Sequence, residues 1–365
     1  MSKLKEQLRS FLGKPWVREA DPDLTKDLGN GWVECDLCWR RCKLPPDTYG
    51  VCGVRANIGG KLYTLVYGLL AAANLDPIEK KPLMHFHPGA KVFSIATPGC
   101  NFFCRFCQNW DISQARREKI FGRYVEPEKV VEMALELGAD GISYTYSEPT
   151  IFFEYMYDVA RIAKKHGLFN TMVTNGYMTP EAIRKLGQYM DAATVDFKGN
   201  ANKEFYRRYM GVPSPEPIFE SLKVMKEVGW FIEVTDLVVP KVGDKLEDAE
   251  KLILKIKEIL GPETPMHFLR FHPDYLLRDL PPTPVETLEK HVELAKKLGM
   301  HYAYIGNVPG HPYENTYCPK CGELVVERYG FYIVAWKLTD DFRCPKCGYR
   351  LNFKGKFHGI TWGRW

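Results

Sequence analysis

The chain has 365 residues, a formal net charge of +5, 45% hydrophobic and 26% charged residues, and eleven cysteines. That length holds a core of ~200 to 250 residues with one or two small modules, while a modest charge without a Lys/Arg block argues against a chain built to bind nucleic acid. The longest weakly polar run, Leu65 to Leu75, falls far short of the ~20 residues of a membrane span, and MSKLKEQLRSFLGKPW lacks a signal-type apolar stretch. A cytoplasmic protein is expected. Cysteines grouped as CxxC and CxxxCxxC fit metal ligation in a reducing compartment better than a disulfide framework.

The chain reads in three parts: a Cys-rich N-terminal extension (1–90), a central α/β region (91–310) and a C-terminal module (311–365). The extension begins amphipathically and carries Cys35, Cys38, Cys42 and Cys52 in CDLCWRRCKLPPDTYGVCG. From Lys91 onward strands and helices alternate. VFSIATP is the first strand, PEKVVEMALELG a helix opened by Pro127, and GISYTY the second strand. A helix from Thr150 to His166 leads to FNTMVTN, and a helix from Thr179 to Leu186 leads to AATVDF. Helix Pro217 to Val228, strand FIEVTDLVV, helix Leu246 to Leu260, strand MHFLRF, helix Pro284 to Leu298 and strand YAYIG complete the series. Strict alternation predicts a parallel sheet with helical cover. Seven strands fit a full or partial TIM-type barrel, with chemistry at the C-terminal strand ends; a doubly wound sheet is the alternative. The third part holds two CPKCG strings.

Directly after the first strand, Cys100, Cys104 and Cys107 form CxxxCxxC within ATPGCNFFCRFCQNW. Three thiolates can bind three irons of a 4Fe–4S cluster and leave the fourth without a protein ligand, whereas ordinary ferredoxin clusters use four cysteines. The alternative is recruitment of a distant fourth cysteine. The remaining eight cysteines divide into two self-contained fours, which favours the open iron.

Cys318, Cys321, Cys344 and Cys347 supply four thiolates from two knuckles, the arrangement of a structural zinc-ribbon-like site. A rubredoxin-type iron is the alternative there. A module this small is expected to need its metal in order to fold. The spacing of Cys35, Cys38, Cys42 and Cys52 fits neither a paired knuckle nor the ferredoxin run, so zinc and a second iron–sulfur cluster both stay open, with Arg40, Arg41 and Arg55 available to offset the charge.

Through TPGCNFFCRFCQNWDISQ, DPIEKKPL, YIGNVPG and NTYCPKCG, the sequence resembles the radical SAM superfamily, where SAM is S-adenosylmethionine. More narrowly it is similar to the branch that includes pyruvate formate-lyase activating enzyme, and most nearly to the radical SAM member of the AmmeMemoRadiSam group. The resemblance implies a reduced 4Fe–4S cluster that cleaves SAM to a 5′-deoxyadenosyl radical, which abstracts hydrogen from a protein, peptide or small molecule. It also implies SAM contacts. Ser147 and Glu148 of YSEPT stand at a GGEP-like turn whose two glycines are here Tyr146 and Ser147, and Glu148 keeps an acceptor for the SAM ammonium. Asp196 and Lys198 match a DxK string at the methionine portion, and residues two apart on a strand share a face; a plain ion pair is the alternative. Asn175 lies in a TNG turn, His272 in a string whose His lies against the adenine, and Phe106 at an aromatic position near it. The implied partners are a flavodoxin- or ferredoxin-type electron donor and Memo-like and AMMECR-like proteins. Other readings are a glycyl-radical-enzyme activase and an RNA-modifying radical SAM enzyme. The latter draws on Arg343, Arg350, Lys354 and Lys356 interleaved with Phe342, Tyr349, Phe353, Phe357, Trp362 and Trp365, aromatics that could stack bases or cover the module's own core. A third class is a non-catalytic metal-binding scaffold.

Overall fold

The structure, a computed structural model, describes residues 3–361; Trp362 and Trp365 lie outside them. Seven parallel strands form its centre: Lys91–Ala96, Gly141–Tyr144, Phe169–Thr174, Ala192–Lys198, Phe231–Val238, Met266–Arg270 and Ala303–Gly306. They lie side by side in chain order, with Ala72–Pro77 added antiparallel beside the first, and the two outer strands do not pair. The sheet is therefore open. A doubly wound sheet reverses strand order at a switch point, and this one does not. Right-handed crossovers taken always in the same direction put the crossover helices on one face, where Pro127–Glu136 packs on Phe153–Lys165 and Pro180–Leu186, Glu216–Glu227, Leu246–Leu260 and Val285–Lys297 pack in succession. The opposite face is left for a cavity.

Local sequence explains the elements. The strands are nearly fully buried along their length, as in Ala192–Lys198, where only Asp196 and Lys198 reach partial exposure, the pattern of strands covered on both faces. Pro127 occupies the first helical position of Pro127–Glu136, where its missing N–H costs nothing, and Val130, Val131 and Ala134 form the buried stripe. Before Phe153–Lys165 comes a short 3-10 turn, Pro149–Phe152, because the Glu148 side chain caps the Thr150 N–H. A helix over Lys203–Met210 was not expected from the alternation. Asn202 caps it by accepting from the Phe205 N–H at 2.9 Å, and Gly211 ends it in the left-handed conformation.

The extension folds as small antiparallel sheets, Thr25–Gly29 with Trp32–Cys35 and Cys42–Leu44, and Arg18–Glu19 with Lys61–Thr64, Arg55–Ile58 and Thr48–Tyr49. Arg55, 2% exposed, fastens it to the central region through two 2.8 Å hydrogen bonds to Glu154. Arg55→Met would strand that buried carboxylate, and removal of one partner of such a pair costs about 3–5 kcal/mol. We expect a loss of that order in chemical denaturation, and a change below about 1 kcal/mol would refute the anchoring role.

The terminal module pairs Thr316–Tyr317, Leu324–Tyr329 and Tyr332–Trp336. Its core is shared with both preceding parts of the chain: Val325, Val326, Ile333, Phe342 and Phe353 pack with Met84, Tyr302 and Tyr304. Phe357 stacks on Trp336 at 4.1 Å. The described aromatics that could have stacked bases are thus largely used in packing. No helix among the described residues is long and apolar enough to cross a membrane.

Candidate active site

A cavity of about 490 Å³ opens at the C-terminal ends of the parallel strands, within the ~300–1,000 Å³ of small-molecule sites. Cys100, Cys104 and Cys107 line it, as do Phe106, Ser147, Glu148, Asn175, Asp196, Lys198 and His272. The ten residues expected around the triplet and SAM all line this cavity, while the other eight cysteines lie elsewhere. Among the described residues no fourth cysteine lines this cavity.

The cysteine loop is held by its backbone. Gly99 N–H donates to the Ile112 carbonyl at 3.0 Å, Phe103 N–H to that of Met210 and Arg105 N–H to that of Tyr209, both at 2.9 Å. Burial pushes the Cys100 thiol up to about 12 and raises Cys104 and Cys107 as well. Such sulfurs become thiolates only when a cation compensates them, and three thiolates open to a cavity fit the cluster that the triplet implies. Phe106 is buried against Phe205 and Phe271, with ring centroids 5.6 and 6.4 Å away, so it both supports the loop and faces the cavity.

Lys198 Nζ lies 3.1 Å from Asp196 Oδ2, and Asp196 also accepts from the Thr235 hydroxyl of the neighbouring strand. Burial works against the Lys198 ammonium. The negative charge of Asp196 and of the Cys104 and Cys107 sulfurs outweighs it and raises the lysine pKa. The pair therefore presents one cation and one anion, both half-buried, beside the cysteines.

Glu148 is more engaged than a free acceptor would be. Its Oε1 accepts from Thr150 N–H at 3.1 Å and from the Thr150 and Thr174 hydroxyls at 2.6 and 2.7 Å, and its Oε2 from Asn175 N–H at 2.8 Å. Burial raises its pKa against the pull of these donors. A carboxylate has about four lone-pair sites, and with three of the bonds on Oε1, spare capacity remains on Oε2. Glu148 thus ties the end of the second strand to the third. Asn175 in turn donates to Asn101 Oδ1 at 2.7 Å, inside the cysteine loop. Gly176 has φ +71° and a Cβ there would sit 2.6 Å from Ile218 Cγ2, so only glycine serves in this turn.

Tyr146 stands where the related turn carries glycine, and it takes φ +62°. The left-handed backbone is kept despite a large side chain, an uncommon state for such a residue. Its hydroxyl donates to Asp76, and its ring lies 4.6 Å from Lys81 Nζ. Ser147 Oγ donates to the Thr97 carbonyl at 2.7 Å.

Sequence reasoning singled out DPIEKKPL without giving it a role. Lys81 is buried and paired with Asp76 at 2.7 Å, and burial lowers it to about 8. Glu79, buried and driven up to about 7 by burial, lines the cavity with Oε2 unpartnered. His267 also lines it, with Nε2 2.7 Å from Glu233 Oε2 and Nδ1 unpartnered. Only the fold brings Glu79 and His267 to one wall. Glu314, Gly330 and Phe331 from the terminal module close the same side.

A parallel α/β sheet with an open-ended three-cysteine loop at its strand ends defines an iron–sulfur enzyme site. The comparisons agree. The Radical SAM superfamily model matches residues 94–256. Uncharacterized protein MJ0808 of Methanocaldococcus jannaschii is 46% identical over 326 residues, covering 89% of this chain and 96% of that one. The pyruvate formate-lyase-activating enzyme of Clostridium pasteurianum is 22% identical over 219 residues, 55% of this chain and 88% of the relative. Among solved structures, Streptococcus suis SuiB bound to S-adenosylmethionine has TM-score 0.47 and 13% identity, covering 63% of this chain and 53% of SuiB. The chain belongs to the radical SAM superfamily and is an enzyme.

Cys318, Cys321, Cys344 and Cys347 gather separately. Their sulfurs all lie within 4.8 Å of one another, with Cys318 and Cys347 3.5 Å apart and Cys321 and Cys344 3.7 Å apart. Bonds of ~2.3 Å to one tetrahedral ion separate sulfurs by about 3.8 Å, so the set fits a single metal ion.

Proposed function

We propose that this enzyme binds SAM in the 490 Å³ cavity and uses it to abstract a hydrogen atom from a substrate held against the wall of Glu79, His267 and Phe331. The observation that carries this reading is one cavity lined by the cysteine triplet and the Asp196–Lys198 pair. When bound, the reduced 4Fe–4S cluster and SAM supply a 5′-deoxyadenosyl radical. Cys100, Cys104 and Cys107 hold three irons. Lys198 meets the carboxylate of the methionine portion and Asp196 its ammonium. Glu148 fixes the Asn175 turn and offers its remaining Oε2 lone pair to the ammonium. Phe106 and His272 flank the adenine, and Ser147 braces the turn.

Lys198→Met removes one of these contacts while leaving a similar apolar stem. We expect the KM for SAM to rise about ten- to a hundredfold, as for loss of one hydrogen bond to a charged group, ~1.5–3 kcal/mol. An unchanged KM would contradict the contact.

Zinc at the terminal cysteines, a metal centre at the N-terminal four, a ferredoxin- or flavodoxin-type electron donor and a cytoplasmic location complete the reading. The AmmeMemoRadiSam resemblance makes Memo-like and AMMECR-like proteins the first partners or substrates to test. Anaerobic incubation with each, dithionite and SAM, followed by mass spectrometry for modified residues and for 5′-deoxyadenosine, tests the assignment. A second reading, activation of a glycyl-radical enzyme, is favoured by the likeness to pyruvate formate-lyase-activating enzyme; a glycyl radical signal on a candidate enzyme would select it.

A further inference from the structure

Cys35, Cys38, Cys42 and Cys52 surround one small cavity, together with Arg40, Arg55 and Gly50. Cys35 and Cys42 face each other across an antiparallel pair, and a Cβ on Gly50 would lie 3.9 Å from both the Cys42 and Cys52 sulfurs. All four sulfurs thus converge. Yet no three of them lie within 4.8 Å of one another, the spacing that the terminal set meets among the described residues. A single tetrahedral ion draws sulfurs to about 3.8 Å, whereas in a 4Fe–4S cluster each of four thiolates binds a different iron, which spreads the set wider. The Cys100, Cys104 and Cys107 sulfurs share this wider spacing.

The surroundings also call for an anion. Arg55, which lines the cavity, bonds Glu154 through its two terminal nitrogens and keeps its buried Nε–H without an acceptor. Arg116 links this site to the first loop: it donates to the Val51 carbonyl at 3.1 Å and also to that of Phe102, so one guanidinium bridges the residue before Cys52 and the middle residue of the three between Cys100 and Cys104. Arg40 donates to the Asn101 carbonyl at 2.9 Å, and Trp39 N–H to the Tyr177 carbonyl at 3.0 Å. Gly99 rests on Val54, where a Cβ would come within 2.6 Å of Cγ1. Cys38 and Cys42 are partly exposed, while Cys35 and Cys52 are buried.

We infer that Cys35, Cys38, Cys42 and Cys52 hold a second, redox-active 4Fe–4S cluster, packed through Arg116 and Arg40 against the loop of the first. Two partly exposed cysteines and direct packing against the triplet loop suit the passage of single electrons. One electron enters from a low-potential ferredoxin- or flavodoxin-type donor and one leaves to the neighbouring centre, with no bond made or broken. The inference takes from the proposed function only the identity of that neighbour.

The test uses the full chain carrying Cys100→Ala, Cys104→Ala and Cys107→Ala, reconstituted anaerobically with iron and sulfide. We expect it to keep about half of the wild-type cluster iron, about four irons with matching sulfide per chain, and to give a one-electron paramagnetic signal with dithionite. Zinc or no metal at these cysteines, or a centre silent to reduction, would overturn the inference. If the variant fails to fold, wild-type Mössbauer spectra decide: about eight cluster irons per chain support it and about four refute it. Failure to cleave SAM would leave these readouts untouched, so the two readings fail separately.

Discussion

Cys104→Ala is expected to lower 5′-deoxyadenosine formation from SAM by at least about a thousandfold, because removal of a group that acts as part of one unit disables the whole. Cys100, Cys104 and Cys107 are the cysteines that line the cavity, with none in reserve there. Cys104 is also central electrostatically: burial pushes its thiol far up, and Lys198 is the largest opposing influence. Removing one sulfur leaves two thiolates, too few to hold the cluster open toward SAM. The loop's backbone bonds at Phe103 and Arg105 do not depend on the sulfur, so circular dichroism should match wild type. Chromatography of anaerobic, dithionite-reduced reactions measures the effect, and a variant within tenfold of wild type would remove the triplet from the chemistry.

Cys344→Ser is expected to unfold the terminal module while leaving the parallel sheet folded. A structural zinc in a small domain is worth about 10–16 kcal/mol of apparent binding energy, and the module's apolar core is small and partly borrowed from Met84, Tyr302 and Tyr304. The knuckles place Gly322 and Gly348 at φ +73° and +68°, and each closes its turn with an N–H bond of 2.9 Å to the carbonyl of Cys318 or Cys344. Without the ion these turns lose their common anchor. Limited proteolysis read by mass spectrometry should show cleavage beyond residue 310 in the variant and protection in wild type. Equal protection would show that packing alone holds the module. Elemental analysis of the wild type separates zinc from a single iron.

Much of the site was legible because its residues sit in short strings at strand ends, where chain order dictates position. The resemblance singled out Asp196, Lys198 and His272, and the alternation of strands and helices placed them with the triplet at one rim. The paired knuckles were legible for the same local reason. What sequence could not supply was partnership. Glu148 read as a lone acceptor, and only the approach of Thr174 and Asn175 from the next strand shows it as a tie between strands. Glu79 and His267, nearly two hundred residues apart in the chain, share a wall through tertiary folding. Most of the extension's strands, two to five residues long, are too short for hydrophobic periodicity to register. The Lys203–Met210 helix was hidden in a loop between two expected elements, although Asn202 and Gly211 are its caps.

Tyr146 shows a subtler limit. At the turn where the related string has glycines, Tyr146 holds a left-handed backbone, braced by Asp76 and by Asn109, whose side chain donates to the Tyr146 carbonyl at 2.9 Å. The constraint lies in the neighbours, which a single sequence does not show.

The central claim is that SAM binds the iron left open by Cys100, Cys104 and Cys107. Its most direct test is electron–nuclear double resonance on the reduced wild-type enzyme with SAM labelled by nitrogen-15 at the amino group and oxygen-17 at the carboxylate. Hyperfine coupling of both labels to the cluster is the expected result. A reduced cluster that forms normally yet shows no coupling to either label, with SAM at saturating concentration, would contradict the account.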